Sequence, residues 1–327
     1  MRATFYTVAN SRYFIGLVGL VNSIRLTGHR GPIVVVDAGL TMAQRSRLSG
    51  ECQFVVPPNV PVSNPMYLKM AGPRAQPADL TVIIDSDMLV TGSLDSVFEK
   101  ARLGMVCAYA DPEDRRWFPD WELLLGVSTL RHQTYVNSGF VVFATKSWPG
   151  LVDRWWDLCL QTAARPTVFE GAPDSPLSQA DQDVLNALLM SEIPAEAICV
   201  LPEEEHGGTP PIIRNEVKVT SLQTMACCRN THQVPLLHWC FEPKPWDPRV
   251  KREMHNHAYA RLLVRSTIWE DVPVRLHSSD LPYWLRGDLL SRARVSFWRS
   301  VAWAVRRVRR RLPRRNTHSK YAPVHRE

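Results

Sequence analysis

The sequence predicts an α/β fold, a sheet covered by helices on both faces. Three observations carry this. Strand-like and helix-like segments alternate through the first 90 residues. The run Leu80-Thr-Val-Ile-Ile-Asp85 is almost continuously apolar, as expected of a strand buried on both sides. The 327 residues are 45% hydrophobic and 22% charged, ample for a core, which sets aside wholesale disorder, collagen and a small disulfide scaffold.

Thr4 to Val8 reads as the first strand. Phe14, Leu17, Val18, Val21 and Ile24 recur at helical spacing and give a helix over 14–26. Gly28 and Gly31 punctuate, and a buried strand follows from Pro32 to Asp37. Leu40–Leu48 is a short helix with Thr41 as its cap, and Gln53–Val56 is a third strand. Pro57, Pro58, Pro61 and Pro65 make an irregular link to Met66–Met70, ahead of the strand at 80–85. Met105 to Tyr109 is a further strand. Residues 111–133 are charged and tryptophan-rich, with helical stretches expected. Tyr135 to Phe143 (YVNSGFVVF) is a strand interrupted near Asn137. Helices are expected over 151–160, 181–190 and 251–266, and strands over 216–220 and 234–239. Prolines and glycines mark 164–180 and 203–211 as loops. No repeat and no linker is visible before about residue 275. The division is one domain over 1–280, with halves meeting near residue 110, and a basic segment over 281–327.

The net charge of +7 is unevenly placed. Thirteen of the 39 Lys and Arg, and only two of the 32 acids, fall in 286–327, which is net +11; the rest is net −4. The overall basicity therefore says nothing for nucleic acid, and no such partner is expected. Seven cysteines are odd in number and scattered, and read as reduced. Cys227, Cys228, His232, His238 and Cys240 match no common zinc spacing. The N-terminus lacks signal-peptide order, and Tyr13–Val21 is too short to span a bilayer. The body is expected to be cytoplasmic.

A nucleotide site at the strand ends is the first reading of such a sheet. The turn after the first strand, Val8 to Tyr13, has no glycine, and no GxxxxGK[ST] occurs, which argues against a dehydrogenase and a P-loop enzyme. The informative feature is Asp85-Ser86-Asp87. Two carboxylates at i and i+2 leaving a strand can reach one divalent cation, which would offset the cost of placing like charges together. Oxygen ligands favour Mg²⁺ or Mn²⁺ and suit a cation bridging a diphosphate. The bare pattern is common, since Asp181-Gln-Asp183 matches it too.

Three more islands sharpen the reading: YVNSGFVVF at 135–143, DQDVLN at 181–186 and HWCFEPKPW at 238–246. With IIDSDMLV at 83–90, they occur in the order found in the glycogenin and lipopolysaccharide-galactosyltransferase family, and over roughly 4–250 the chain resembles that family. The resemblance implies a GT-A fold, with a Rossmann-like mixed sheet flanked by helices. It implies retaining transfer of a hexose from a UDP-sugar to an acceptor hydroxyl, using Mn²⁺ or Mg²⁺. It assigns Asp85, Asp87 and His238 to the metal, with Ser86 between the acids. Lys244 and Lys69 fall to the diphosphate, with Arg74 competing for the second place. Thr7, Asn10 and Tyr13 fall to the base and ribose, and Asn137, Ser138 and Gly139 lie under the donor sugar. Asp181 and Gln182 stand near the anomeric carbon, with Asp183 on a sugar hydroxyl or bracing the site. Asp181 also reads as a helix N-cap.

One position departs from the family pattern. Phe241 stands where the family has a glycine that lets backbone approach the diphosphate, so its ring must turn away or displace the phosphates slightly, with packing on the nucleotide or lining of the acceptor channel as the other readings. Acceptor contacts are expected from 111–133, 164–180 and 201–230, with Trp117, Phe118 and Trp121 either stacking on sugars or packing internally. The acceptor class stays open among saccharide, lipid-linked saccharide, protein and small molecule. Phe297, Val301, Ala304, Val308 and Leu312 share one face of a basic amphipathic helix over 289–312, suited to an anionic bilayer surface at the inner face of the membrane, or to docking on the acidic body or oligomerisation. Two rival functions are a metal-dependent nucleotidyltransferase, disfavoured by the lack of an early basic loop, and a decayed GT-A scaffold that binds carbohydrate or membrane.

Overall fold

The computed structural model describes residues 2–59, 65–247, 249 and 257–286. In chain order the strands are β1 (Ala3–Ala9), β2 (Ile33–Asp37), β3 (Gln53–Val55), β4 (Leu80–Ile84), β5 (Met88–Val90), β6 (Val106–Ala110), β7 (Val136–Ala144), β8 (Ile198–Leu201), β9 (His206–Gly207), β10 (Val217–Ser221), β11 (Ala226–Arg229), β12 (His232–Gln233) and β13 (Leu236–His238). The α-helices are α1 (Phe14–Leu26), α2 (Met42–Leu48), α3 (Ala71–Ala75), α4 (Asp95–Arg102), α5 (Asp120–Leu125), α6 (Leu151–Thr162), α7 (Asp181–Ser191), α8 (Thr209–Ile213) and α9 (Ala258–Ile268). The main sheet has seven strands in the order β3-β2-β1-β4-β7-β6-β8. Its pairings are parallel except those of β7, which runs antiparallel to β4 and β6. β5, β13 and β9 form a second small sheet, and β10, β11 and β12 a third.

Alternation along the strands feeds two cores. Phe5, Ile33, Val35, Val82 and Ile84 meet Leu17 and Val21 of α1 and Leu262 and Leu263 of α9. Tyr6, Val34, Val36 and Ile83 meet Trp155 of α6 and Leu185 and Leu188 of α7. Covering both faces is why β2 and β4 are apolar at nearly every position rather than every second one. Asn22 ties the chain after α9 back onto α1: its Nδ2 donates to Ser266 O (2.6 Å) and Val274 O (2.7 Å), and its Oδ1 accepts from Val274 N (3.0 Å). These bonds offset the cost of burying the amide, so the contact is fixed without an unsatisfied polar group on this side chain.

The direction of β7 positions the functional edge. Parallel strands bring their C-terminal ends to one edge, and an antiparallel neighbour brings its N-terminal end there. Ile84 pairs with Phe140, so Asn137, Ser138 and Gly139 emerge beside Asp85. Met88 of β5 pairs with His238 of β13, which sets a residue about 150 positions later next to the same acids.

The structure departs from the sequence reading in several elements. β7 is continuous, and the irregularity expected near Asn137 lies in its pairing with β6, where the register shifts between Ala108 and Ala110. Residues 111–133 hold one short helix, α5, and 203–211 contain β9 and the start of α8 as well as loop. β5 and α4 carried no expectation; α4 buries Val97, Phe98 and Ala101. The helix expected over 251–266 runs from Ala258 to Ile268 in the described residues. Leu281 and Leu285, in the segment assigned to the basic tail, are buried in the core. The amphipathic stretch 289–312, and with it the membrane expectation, lies outside the described residues. Among the described residues no helix is long and apolar enough to cross a membrane.

Candidate active site

Beyond Ile84 the chain turns through Asp85-Ser86-Asp87 into β5. Backbone bonds fix this turn on three sides. Asp85 N donates to Gly139 O (2.8 Å), Met88 N to Asp85 O (3.0 Å) and Trp239 N to Asp87 O (3.2 Å). Asp85, Asp87 and His238 thereby gather, with one ligand atom from each within 4.8 Å of the others. His238 Nε2 lies 3.4 Å from Asp87 Oδ1 and 3.9 Å from Asp85 Oδ2. Gly139 leaves room for the cluster, because a Cβ there would sit 2.8 Å from Asn137 Oδ1, Asp85 Oδ2 and His238 Cε1 alike.

Asp87 is only 6% exposed, and its Oδ1 makes no hydrogen bond. A buried carboxylate oxygen without a donor is costly, and a cation would satisfy it. Two carboxylates and an imidazole that converge this way can hold one divalent cation, and the mostly oxygen donor set suits Mn²⁺ or Mg²⁺. Among the described residues this is the one such group, and Cys227, Cys228, His232 and Cys240 do not join His238 in a zinc cluster.

Two buried ammonium groups flank the acids. Lys244 Nζ donates to Asp87 Oδ2 (2.7 Å) and to Trp239 O (3.0 Å). Lys69 Nζ lies 2.9 Å from Asp85 Oδ1 and 3.1 Å from Asp181 Oδ2, and donates to Ser138 Oγ (3.1 Å). Arg74, the competing cation, instead pairs with Asp153 at the surface (2.7 Å). Burial opposes ionisation of Asp87, but Lys244 and His238 hold its pKa well below the usual carboxylate range. Burial likewise opposes the charge on Lys69, and Asp181 and Asp85 outweigh it, so its pKa is raised. Asp181 goes the other way: burial raises its pKa, and Lys69 offsets only part of that. Three carboxylates against two ammonium groups leave one net negative charge when the histidine is neutral. A divalent cation would make the cluster net positive, the sign that a diphosphate requires.

Asp181 opens α7 but does not cap it. Its carboxylate accepts from Ser138 Oγ (2.8 Å) and pairs with Lys69. Gln182 Oε1 accepts from Ser138 N (3.1 Å), and its Nε2 donates to Asp111 Oδ2 (3.1 Å). Asn137 Nδ2 donates to the same Asp111 oxygen (2.9 Å), and its Oδ1 accepts from Gly139 N (2.9 Å). Asp111 is thus a site residue that the sequence reading passed over. Its one signal is position: it follows the end of β6 as Asp85 follows β4. Asp183 turns away from the site and braces it, accepting from Arg116 Nε (2.7 Å), Tyr135 Oη (2.7 Å) and Gln179 N (2.7 Å). Trp121 is fully buried and donates Nε1 to Pro176 O (2.5 Å), so it packs rather than faces a ligand.

The N-terminal turn meets the 238–246 segment. Tyr13 Oη donates to Glu242 Oε1 (3.0 Å), its ring stands edge-on to Trp246, and Lys244 Nζ lies 5.6 Å from that ring. Arg12 pairs with Glu242 (2.7 Å), and Trp246 Nε1 donates to Arg12 O (2.9 Å). Asn10 Oδ1 accepts from Arg12 N (3.0 Å), capping the turn. Thr7 Oγ1 is buried with no hydrogen-bond partner. Ser86 is buried, with its carbonyl towards Gly16 of α1. Phe241 is 49% exposed, its ring turned outward.

No protein-family model matches the chain, and no curated protein does. Solved structures do match. The bifunctional glycosyltransferase WbbM superposes over 83% of this chain with a TM-score of 0.53 at 17% identity. The chain has the GT-A glycosyltransferase fold. It spans about half of the WbbM chain, 50%. The galactosyltransferase LgtC, solved with donor and acceptor sugar analogues, matches 82% of this chain and 98% of its own, with a TM-score of 0.49 at 17% identity. GlyE of Streptococcus pneumoniae TIGR4 matches 80% of this chain and 62% of its own, with a TM-score of 0.48 at 13% identity. In a GT-A sheet the edge that carries Asp85, Asp87 and Asn137 is the C-terminal edge of the parallel strands, where ligands of open α/β sheets bind.

Proposed function

We propose that the chain is a retaining glycosyltransferase that uses a divalent metal to move a hexose from a UDP-sugar to an acceptor hydroxyl. The observation that carries this reading is the meeting of Asp85, Asp87 and His238 at the functional edge of a GT-A sheet, flanked by two buried lysines. Asp85, Asp87 and His238 would hold Mn²⁺ or Mg²⁺, which supplies Lewis-acid stabilisation of the departing diphosphate.

The chain's own residues do the rest. Lys244 and Lys69 stabilise charge on the leaving nucleotide. Thr7, Asn10 and Tyr13 take the base and ribose; the unpartnered Thr7 hydroxyl supports this. Asn137 and Ser138 orient the sugar, with Asp111 fixing the Asn137 and Gln182 amides. Asp181 is engaged by Lys69 and Ser138, which favours a steadying role over covalent attack. Retention then proceeds by front-side attack, with the Gln182 carbonyl dipole beside the developing cation. The stretch 289–312 is the part proposed for an anionic membrane surface.

Calorimetric titration of UDP with and without Mn²⁺ tests the reading, alongside a hydrolysis screen of several UDP-sugars. UDP binding is expected to require Mn²⁺ and to be lost in Asp87→Ala. Absence of UDP binding, or full metal-dependent activity in that variant, would overturn the assignment.

A further inference from the structure

Lys244 stands between Pro243 and Pro245, which have no N–H, so a carbonyl is the one backbone group through which either proline can be hydrogen-bonded. All three carbonyls of the segment are held. Pro243 O accepts from Trp239 Nε1 (3.2 Å), Lys244 O from Asp247 N (2.8 Å) and Pro245 O from Trp284 Nε1 (2.9 Å). The first two donors belong to the same stretch of chain. Trp284 lies 39 residues beyond Pro245, outside the four sequence islands and the 4–250 resemblance.

Trp284 is itself anchored. It sits in a single 3-10 turn, Tyr283–Leu285, flanked by the buried Leu281 and Leu285, and packs on the same core as Trp239 and Trp246. Its ring meets Tyr283 edge-on at 5.1 Å, and Arg286 Nε closes the turn by donating to Leu281 O (2.8 Å). The carbonyl next to Lys244 is therefore tied to the core rather than to solvent.

A lysine reaches its partner on a flexible four-carbon stem, so its backbone must supply the precision. The ammonium of Lys244 rests on Asp87 Oδ2 and Trp239 O. A cation on Asp87 would compete for the first of these, which leaves the backbone ties to keep Lys244 in place. We propose that Trp284 is a positioning residue: its indole N–H holds the Pro245 carbonyl and so fixes the backbone from which Lys244 reaches the leaving diphosphate. The diphosphate role rests on the transferase reading, and the hold on Lys244 does not. The segment 281–286, expected from sequence to begin a separate tail, then supports the donor site.

Trp284→Phe keeps an aromatic ring and removes the N–H. Reductive methylation of the full-length protein, followed at each lysine by mass spectrometry, reads the position of Lys244 without any ligand. Lys69 is the internal control, since it is as buried as Lys244 and is held by Asp85, Asp181 and Ser138 instead. The variant is expected to label about five-fold faster at Lys244, the worth of one hydrogen bond, with Lys69 unchanged. No change at Lys244, or an equal rise at both lysines, overturns the proposal, because general loosening would expose both. With Mn²⁺ present, UDP should bind about five-fold more weakly to Trp284→Phe, and the difference should vanish in a Lys244→Ala background. An equal loss in both backgrounds overturns it too. If Trp284→Phe does not fold, proton exchange in the wild type decides: the Trp284 indole N–H should exchange at least about ten-fold more slowly than a free indole, and exchange at the free rate refutes the hold. Selective labelling of Lys244 in a protein that binds no UDP would overturn the donor reading and leave the hold standing.

Discussion

Lys244 places its ammonium on the carboxylate that a divalent cation would also claim, 2.7 Å from Asp87 Oδ2. Removing it leaves a buried acid with one oxygen already unpartnered. Lys244→Ala is therefore expected to lose about 3 kcal/mol of stability in metal-free buffer. Saturating Mn²⁺ should recover most of that loss, stabilising the variant more than the wild type. Urea denaturation of both proteins with and without Mn²⁺ checks this; an equal loss in both conditions would refute it. The residues that the sequence made legible sit in short motifs whose chemistry is unusual for a structural role, such as paired acids at a strand end. Asp111 was not legible because a single strand-end acid resembles any turn residue. Its importance comes from two amides delivered by β7 and α7.

At the next scale, Arg116 in the loop after β6 ties that loop to the start of α7. Arg116 donates to Asp183, to Ser178 Oγ (2.9 Å) and to Ser175 O (3.1 Å), joining its loop to the stretch that leads into α7. Burial raises the pKa of Asp183, while Arg116 and Tyr135 counter it. Arg116→Ala should cost about 3 kcal/mol, since it strands a buried carboxylate. Glu113→Ala nearby should change stability by less than ~0.5 kcal/mol. Thermal or denaturant unfolding of the two variants distinguishes these values, and a mild Arg116→Ala would show the tie to be dispensable. The same scale explains what could be read beforehand. α1, α6 and α7 are long enough for their apolar period to be seen, and β2 and β4 show as near-continuous apolar runs. β5 and β9 have three and two residues, too few for any period, and only tertiary pairing defines them; of the strand expected over 234–239, β13 keeps Leu236–His238. The antiparallel sense of β7 likewise has no local signature.

Stability of the whole molecule should depend on its neutral histidines. Burial lowers the pKa of His206, stacked on Tyr109 at 4.5 Å, to about 3, and lowers those of His29 and His257. Below the ordinary histidine value of ~6.5 the unfolded chain takes up a proton that His206 in the fold refuses. Stability from this group is thus complete above ~6.5 and falls by about 1.4 kcal/mol per pH unit towards pH 3. Asp181 has the opposite sign: its raised pKa lets the fold take up a proton before the unfolded chain, which eases burial as pH drops. The test is therefore a difference. His206→Gln should show a shallower loss than wild type between pH 7 and pH 5 in urea denaturation, and parallel curves would refute it.

The pairing of Met88 with His238 joins two strands of three residues each, too few to settle their own alignment. Slide one strand past the other by a single position, and alternation turns the imidazole to the opposite side, leaving Leu237 or Trp239 to face the acids. An ion seated there accepts one alignment and rejects its neighbours. Ligand chemistry would then proofread the ladder that builds it.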